Sequence, residues 1–351
     1  MRKLFTFIVG LLGLNAFSAC VNANYGNVDA QSFAELLKGK DVLLVDVRTP
    51  SEYAEGHIPG AVNIDVKEDG FMTQVEKLLD KGKTIAVYCR SGRRSANAAD
   101  MMTARGYKAV NLKGGILAWK EAGMPLSNVE VDAFMTPGGK TVTFSALIHA
   151  SIRICYDGME IEIDPVRQLR ERKVDYSVYP QADYILVTHE HADHFDKDAI
   201  KMLSTDNTQV ITNQRCADIL GYGTVMTNGD QCDVADHFKV EAVPAYNYTE
   251  GHLQFHPKGR DNGYVITIDG LRVYVAGDTE DIEEMAAIND IDIAFLPCNQ
   301  PFTMTAGQLV KAARVVRPKV LFPYHFGDTD LSSVPTELQA DGIDVRIRHY
   351  E

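Results

Sequence analysis

The chain has 351 residues, of which 45% are hydrophobic and 24% charged, and these proportions are typical of globular proteins. Its length is sufficient for two domains of ordinary size. The formal net charge of -13 argues against nucleic acid as a partner, because nucleic-acid binding requires a basic surface.

The first residues are typical of an export signal. A positive start at Arg2 and Lys3 precedes an apolar core, and small residues then lead to Cys20. The apolar run is too short to span a bilayer comfortably. Residues 1–20 resemble a bacterial lipoprotein signal, which implies an exported protein that faces the periplasm or cell surface and contacts the membrane only through a lipid on Cys20. Secretion without a lipid anchor is the alternative.

The next predicted elements place a cysteine between a strand and a helix. Thr84 to Tyr88 is predicted to be a buried strand, and the alanines and methionines of Ala96 to Ala104 favour a helix. Cys89 therefore lies where backbone N–H groups and the helix dipole point towards its sulfur. Three arginines follow within five residues, and their charge favours the reactive thiolate form of Cys89.

Residues 28–127 resemble a single rhodanese domain. The resemblance rests on Asp46-Val47-Arg48 followed by Glu52-Tyr53, on the turn from Gly56 to Ala61, and on Gly114 to Trp119. It implies an α/β domain in which Cys89 carries sulfur as a persulfide taken from thiosulfate or a persulfide donor. The predicted substrate-binding residues are those of the loop, namely Arg90, Ser91, Gly92, Arg93 and Arg94.

The length of this loop separates two chemistries. Cys89 to Arg94 reads C-x4-R, whereas related phosphatase-like loops read C-x5-R and surround a phosphate. The shorter loop favours a sulfane sulfur over a tetrahedral oxyanion. Asp46 and Arg48 are predicted to hold the structure through hydrogen bonds rather than to act in catalysis.

A linker is predicted at residues 128–139, because this segment contains Pro137-Gly138-Gly139. The second domain is then expected over residues 140–351. Strands are predicted at 141–148, 151–156 and 159–163, and later helices and strands alternate.

The segment from Thr188 to His194 contains three histidines and two carboxylates in seven residues. A predicted buried strand, Ala182 to Val187, comes directly before it, so these side chains lie at the carboxyl end of a strand, where open α/β sheets bind ligands. Imidazole and carboxylate are ligands that zinc and iron prefer. Asp278 and His325 each follow a further strand-like segment and are two more candidate ligands.

The H-x-H-x-D-H spacing resembles the metallo-β-lactamase superfamily. The resemblance implies an αββα sandwich and two divalent metal ions. Zinc is the expected metal, and iron and manganese are the alternatives. Its implied ligands are His189 and His191 for one metal, Asp193 and His194 for the other, Asp278 as a bridge, and His325 to complete the second site. Asp193 would also orient the attacking water.

The opening of the second domain resembles the lactonase and phospholipase-D-like branch of the superfamily. His149 would then lie near the substrate, and a structural turn histidine is the equal alternative. Elsewhere the chain departs from the superfamily, because Pro244-Ala245-Tyr246-Asn247 stands where Pro-Ala-x-His is usual. We expect His256 to replace the missing ligand, and Asn247, His252 or an incomplete first site remain open.

These predictions indicate an exported enzyme that joins a sulfurtransferase to a dinuclear hydrolase of a small molecule, either a lactone or a phosphodiester. A persulfide dioxygenase with one iron is the second hypothesis. The second metal set at His194 and His325 opposes it, and Asn247 slightly favours it. A non-enzymatic sulfur or metal sensor is the third. Cys216 and Cys232 could form a disulfide, whereas His57, His237 and His349 are expected to be structural or solvent-facing.

Overall fold

The computed structural model describes residues 25–350. The predicted export signal at residues 1–20 lies outside the described residues. Within residues 25–350, no helix is both long and apolar enough to cross a membrane.

The N-terminal domain is a parallel sheet of five strands with helices on both faces. Its strands are β1 (Gly26–Val28), β2 (Val42–Asp46), β3 (Val62–Asn63), β4 (Thr84–Tyr88) and β5 (Lys108–Leu112). Its helices are α1 (Ala30–Leu36), α2 (Pro50–Ala54), α3 (Phe71–Leu78), α4 (Arg93–Thr103) and α5 (Gly115–Glu121). The strand order is β1-β5-β4-β2-β3, and every neighbouring pair is parallel. Two apolar clusters bury its faces, as an all-parallel sheet requires.

The second domain contains two seven-stranded sheets. The strands of the first are β6 (Val131–Met135), β7 (Thr141–Ile148), β8 (Ser151–Tyr156), β9 (Met159–Ile163), β12 (Tyr184–Val187), β13 (Gln209–Thr212) and β14 (Thr224–Val225). A small hairpin, β10 (Gln168–Leu169) and β11 (Arg172–Lys173), lies between β9 and β12 in sequence. The first sheet is ordered β14-β13-β12-β9-β8-β7-β6, with β12 parallel to both of its neighbours.

The second sheet runs in sequence order. Its strands are β15 (Gln231–Ala235), β16 (Phe238–Ala245), β17 (Asp261–Ile268), β18 (Leu271–Val275), β19 (Ile293–Pro297), β20 (Val320–Tyr324) and β21 (Asp344–Val345). The helices of this domain are α6 (Lys197–Leu203), α7 (Gln214–Leu220), α8 (Ala306–Val316) and α9 (Val334–Gln339), with short 3-10 helices at Tyr176–Val178 and Glu283–Ala287.

The apolar faces of these two sheets pack against each other and form the main core. Ile152 and Ile154 from β8 share one cluster with Val240 and Ile266 from the second sheet. On the outer faces, α6 and α7 cover the first sheet, and α8 and α9 cover the second. These four layers are the predicted αββα sandwich, and the expected fold class is confirmed.

The predicted linker contributes to the sheet. Within residues 128–139, Val131–Met135 forms β6, which pairs antiparallel with β7. Ala133 of this strand is buried in the core of the N-terminal domain. A simple connection is therefore corrected to an edge strand, because Val131 and Ala133 pack on the N-terminal domain while Phe134 packs on the core of the second domain and the backbone pairs with β7.

Polar contacts also join the domains. The Thr141 hydroxyl donates to the Leu78 carbonyl at 2.8 Å and accepts from the Asp80 N–H at 2.7 Å. Lys83, which is buried, forms an ion pair with Asp157. The five described cysteines are all free thiols, so Cys216 and Cys232 are not bridged.

Candidate metal centre and cysteine loop

Five separate segments of the second domain converge at one edge of the sandwich. The predicted ligands between His189 and His194 follow β12, Asp278 follows β18, and His325 follows β20. His256 precedes β17, and His149 follows β7. The structure thus brings together all seven residues predicted to bind metal, and His149 lies with them.

These side chains form two groups of four. Within each group, the atoms that could bind a metal lie within 4.8 Å of one another. The first group is His189, His191, His256 and Asp278, and the second is His149, Asp193, His194 and His325. Six of the eight residues are buried, and only His191 and Asp193 are partly exposed, so the centre opens to solvent on their side.

Asp278 lies between the two groups. Its Oδ2 is 3.3 Å from Nε2 of His256 in the first group, and its Oδ1 is 3.3 Å from Nε2 of His194 in the second. Asp278 Oδ2 is also 3.3 Å from His325 Nε2. One carboxylate therefore faces ligand atoms of both groups, which is the position that the superfamily resemblance implies for a bridging ligand.

The carboxylates and histidines of the centre shift one another's pKa: burial acts to lower the pKa of His194, His256 and His325, but the neighbouring carboxylates outweigh it and raise the pKa of all three. Burial alone would raise the pKa of Asp278, but the neighbouring charges of His194 and His325 hold it well below its ordinary value. Burial holds the pKa of His189 well below its ordinary value, with a further contribution from His194. A carboxylate and a neutral imidazole are the forms that bind divalent metals.

Two buried atoms of the centre show whether its residues are suited to hold a metal ion. Among residues 25–350, His194 Nε2 and Asp278 Oδ1 make no hydrogen bond. Buried polar atoms without a partner are costly, and a metal ion between them would remove that cost. The donor set of imidazoles and carboxylates is also that of zinc, iron and manganese sites.

His149, a member of the second group, has a strained backbone conformation. Its φ of 53° lies in the left-handed region that residues other than glycine rarely adopt. Its Nε2 is 3.3 Å from Asp193 Oδ2, and its ring centroid is 3.8 Å from that of His325. Its backbone N–H donates to the Tyr350 carbonyl at 3.0 Å. The predicted substrate-binding residue thus lies among the candidate ligand atoms, and its role in binding substrate stays a prediction.

The cysteine loop directs hydrogen bonds at one sulfur atom. Cys89 Sγ accepts from the Gly92 N–H at 3.2 Å and from the Ser95 hydroxyl at 3.3 Å. Gly92 has a φ of +88°, and a Cβ there would lie 3.0 Å from the Gly114 nitrogen, so the tight turn requires glycine. Burial acts to raise the pKa of Cys89, but the hydrogen bonds from Ser95, Ser91 and Gly92 outweigh it and lower the pKa.

The three arginines of the loop have different surroundings. Arg94 makes a two-point pair with Glu52, with N–O distances of 2.8 and 2.7 Å, and its hydrogen bonds lower the pKa of Glu52 to about 2. Arg90 and Arg93 are exposed. Substrate binding by Arg90, Arg93 and Arg94 stays a prediction, with Arg90 and Arg93 the more accessible.

Asp46 and Arg48 form a buried two-point ion pair, and Arg48 Nη2 also donates to the Gly56 carbonyl at 2.9 Å. This pair fixes the turn after α2, in line with the predicted structural role. His57 is buried and stacks on Tyr53, whereas His237 and His349 are exposed.

Both domains match known families. The Rhodanese-like domain family matches residues 29–122, and the Beta-lactamase superfamily domain matches residues 141–325. The chain belongs to the beta-lactamase superfamily. A UPF0173 metal-dependent hydrolase of Archaeoglobus fulgidus is 31% identical over 183 residues, which cover 48% of this chain and 78% of that protein.

Two further proteins each match one of the domains. A sulfurtransferase of Allochromatium vinosum is 38% identical over 101 residues, which cover 28% of this chain and 92% of that protein. A crystal structure described as a metal-dependent hydrolase from Parabacteroides distasonis ATCC 8503 is 49% identical, with a TM-score of 0.61, and covers 64% of this chain and 100% of that chain. The chain is therefore an enzyme with a rhodanese-like domain and a superfamily hydrolase domain, as its sequence motifs predicted.

Asn247 departs from the superfamily pattern, and in the structure it hydrogen-bonds to the backbone of neighbouring loops. Its Nδ2 donates to the Phe302 carbonyl at 2.8 Å and its N–H to the His256 carbonyl at 2.9 Å. His252 Nδ1 lies 3.3 Å from Glu280 Oε1. His256, rather than Asn247 or His252, therefore lies with the candidate ligands of the first group.

Two carboxylates that were not predicted from the sequence orient these histidines. Asp164 Oδ2 lies 2.8 Å from His194 Nδ1, and the same carboxylate accepts from the Thr188 N–H at 2.7 Å. Asp261 Oδ2 lies 3.1 Å from His256 Nδ1. Because a carboxylate accepts hydrogen bonds, each imidazole keeps its Nε2 for the centre. The position of Asp164, directly after β9 beside the strand that precedes His189, was the available signal.

Proposed function

We propose that the second domain is a dinuclear metal-dependent hydrolase. The position of Asp278 between the two groups of four candidate ligands carries this proposal. His189, His191 and His256 would hold one divalent ion with Asp278, and the second group would hold the other. Metal bound there would supply a nucleophilic water with a pKa of about 7 and polarise the bond to be cleaved.

Asp193 is the residue best placed to orient that water. Its carboxylate is partly exposed, and its Oδ2 lies 3.3 Å from His149 Nε2 and 3.7 Å from His325 Nε2. Its carboxylate can therefore accept a hydrogen bond from a water molecule on the solvent side, while His149 and His325 hold it in place on the protein side. Zinc is the proposed metal, with iron or manganese as alternatives, and the proposed substrate is a lactone or a phosphodiester.

For the N-terminal domain we propose sulfur transfer through Cys89. The Cys89 thiolate would attack the sulfane sulfur of thiosulfate, form a persulfide and release sulfite. The terminal sulfur would then pass to a thiophilic acceptor such as cyanide, which regenerates the thiolate. The hydrogen bonds from Gly92 and Ser95 support this proposal, because they stabilise negative charge on the sulfur.

We also propose that the protein is an exported lipoprotein, on the pattern of Arg2, Lys3 and Cys20 alone. Fractionation of cells that express the full chain tests this. The wild-type chain is expected with the membranes, and Cys20→Ser is expected in the soluble exported fraction. Wild-type protein in the cytoplasm would contradict the proposal.

Metal content per purified full-length chain tests the dinuclear proposal. About two zinc-like ions per chain, with loss of hydrolysis on chelation and recovery on addition of metal, is the expected result. A single iron per chain would contradict the proposal and favour persulfide oxidation, with glutathione persulfide as the substrate to try. Two groups of four candidate ligands favour two metal ions over a single iron. The hydrogen bond to the Cys89 sulfur favours sulfur transfer over a sensor without enzymatic activity.

A further inference from the structure

Apolar side chains are exposed beside the candidate metal centre. Tyr248, Leu253 and Phe302 expose 48%, 51% and 41% of their surface. Phe255, directly before His256, packs edge-on against Phe302 with ring centroids 4.9 Å apart. We call these four residues the apolar rim. They come from two loops, one between β16 and β17 and the other between β19 and α8.

Each of these loops is attached to a candidate ligand. The first contains His256 itself. The second begins at Cys298, whose N–H donates to the His325 carbonyl at 3.4 Å. The two loops that carry the apolar rim therefore contain or contact one histidine of each ligand group, and Phe255 of the rim is the direct neighbour of His256 in the chain.

The backbone of the rim is held in place by buried polar groups. Glu280 is fully buried, and its Oε2 accepts from the N–H groups of Tyr248 and Thr249, both at 2.8 Å. Asn247 joins the two loops through its 2.8 Å bond to the Phe302 carbonyl. The side chain at the position of the absent superfamily histidine thus fixes the rim. Because the rim is already formed, little ordering entropy opposes binding to it.

We infer that the apolar rim binds a hydrocarbon group of the substrate, such as an acyl or alkyl chain, while the reacting group lies at the metal centre. This inference rests on the proposed hydrolase function. Four side chains are too few for a stable protein interface, which uses about 20–30 residues on each side. They are enough to bury a short chain, and each buried methylene contributes about 0.8 kcal/mol, or about fourfold in affinity.

Titration of the cobalt-loaded full-length chain with two carboxylates, acetate and octanoate, tests this. Both carboxylates mimic the product of lactone hydrolysis, and the absorption bands of Co²⁺ report binding at the metals only. We expect octanoate to bind at least about tenfold more tightly than acetate. The double variant Leu253→Ser/Phe302→Ser should lose this difference and keep its affinity for acetate. Val315→Ser is the control, because Val315 is 43% exposed at the far end of α8.

The possible failures are distinguishable. Equal affinities for acetate and octanoate in the wild-type chain would overturn the inference and leave the hydrolase proposal standing. A preference for octanoate that survives in the double variant would also overturn it, because another surface would hold the chain. If the chain takes up no Co²⁺, the dinuclear hydrolase proposal fails, and the inference fails with it; if Co²⁺ binds but octanoate does not change its spectrum, only the inference is overturned.

Discussion

The cysteine loop and the candidate metal centre both gather polar groups near the ends of strands, but they are built differently. The loop is one contiguous segment, and its Gly92 N–H and Ser95 hydroxyl point at a single sulfur. The metal centre draws eight side chains from five segments, and one carboxylate, Asp278, faces both halves. A contiguous site depends on local backbone geometry, whereas a dispersed site depends on the packing of the whole domain.

The largest expected effect separates the two sites completely. Cys89→Ser should reduce sulfur transfer from thiosulfate to cyanide at least about 1,000-fold, because the nucleophile is lost. Metal content and hydrolysis should not change. Transfer that persists in the variant would show that Cys89 does not carry the sulfur.

Asp278 tests whether the two metal groups share a ligand. Asp278→Asn should lower metal content from about two ions to less than one per chain, because both groups lose the same carboxylate. The double variant His189→Ala/His191→Ala should lose about one ion and keep the second. Metal analysis of both proteins against a His237→Ala control measures this. Retention of two ions in Asp278→Asn would rule out a shared ligand.

The orienting carboxylates should have a smaller effect than the ligands. Asp261→Asn removes the carboxylate that fixes His256, and we expect metal affinity to fall about 10–100-fold. Competition with a chromophoric chelator gives the affinity. Asp292→Asn, a change at a surface ion pair, is the matched control. An unchanged affinity in Asp261→Asn would mean that His256 is not a ligand.

The smallest expected effect is on the pH dependence of sulfur transfer by the cysteine loop. Among the groups that lower the pKa of Cys89, the Ser95 hydroxyl contributes most, so Ser95→Ala should raise that pKa. The thiolate is the reactive form, and the rise of transfer rate with pH should therefore move to higher pH. The variant should be several-fold slower below the pKa and similar to wild type well above it.

The control for this experiment is Ser91→Ala, which keeps the backbone N–H of Ser91 and removes an exposed side chain. Its pH profile should match the wild-type profile. A Ser95→Ala profile that also matches would contradict the assigned role of the hydroxyl.

Several elements could be predicted because their signals are local. The strand before Cys89 was indicated by its apolar pattern and the helix after it by its alanines and methionines, and the structure places them at Thr84–Tyr88 and Arg93–Thr103. The residues of the H-x-H-x-D-H segment share one loop, so their spacing alone indicated a common site. Residues close in the chain remain close in the fold, and this is why the motifs were reliable.

The edge strand β6 was not predicted, because its pattern is short and lies next to glycine and proline. Its pairing with β7 and the burial of Ala133 against the N-terminal domain depend on two domains that fold elsewhere in the sequence. Asp164 and Asp261 were missed for a similar reason, since a buried carboxylate is recognisable as an orienting group only when its histidine is beside it.

The sequence by itself determined the two domains, the cysteine loop, and most of the candidate ligands. Only the tertiary structure showed that the expected His256, and neither Asn247 nor His252, lies in the first group, that His149 joins the second, and that Asp278 lies within 3.3 Å of ligand atoms of both. Spacing cannot decide these points, because His149, His256 and His325 are far apart along the chain. They meet only when the two sheets pack face to face and align the ends of their strands.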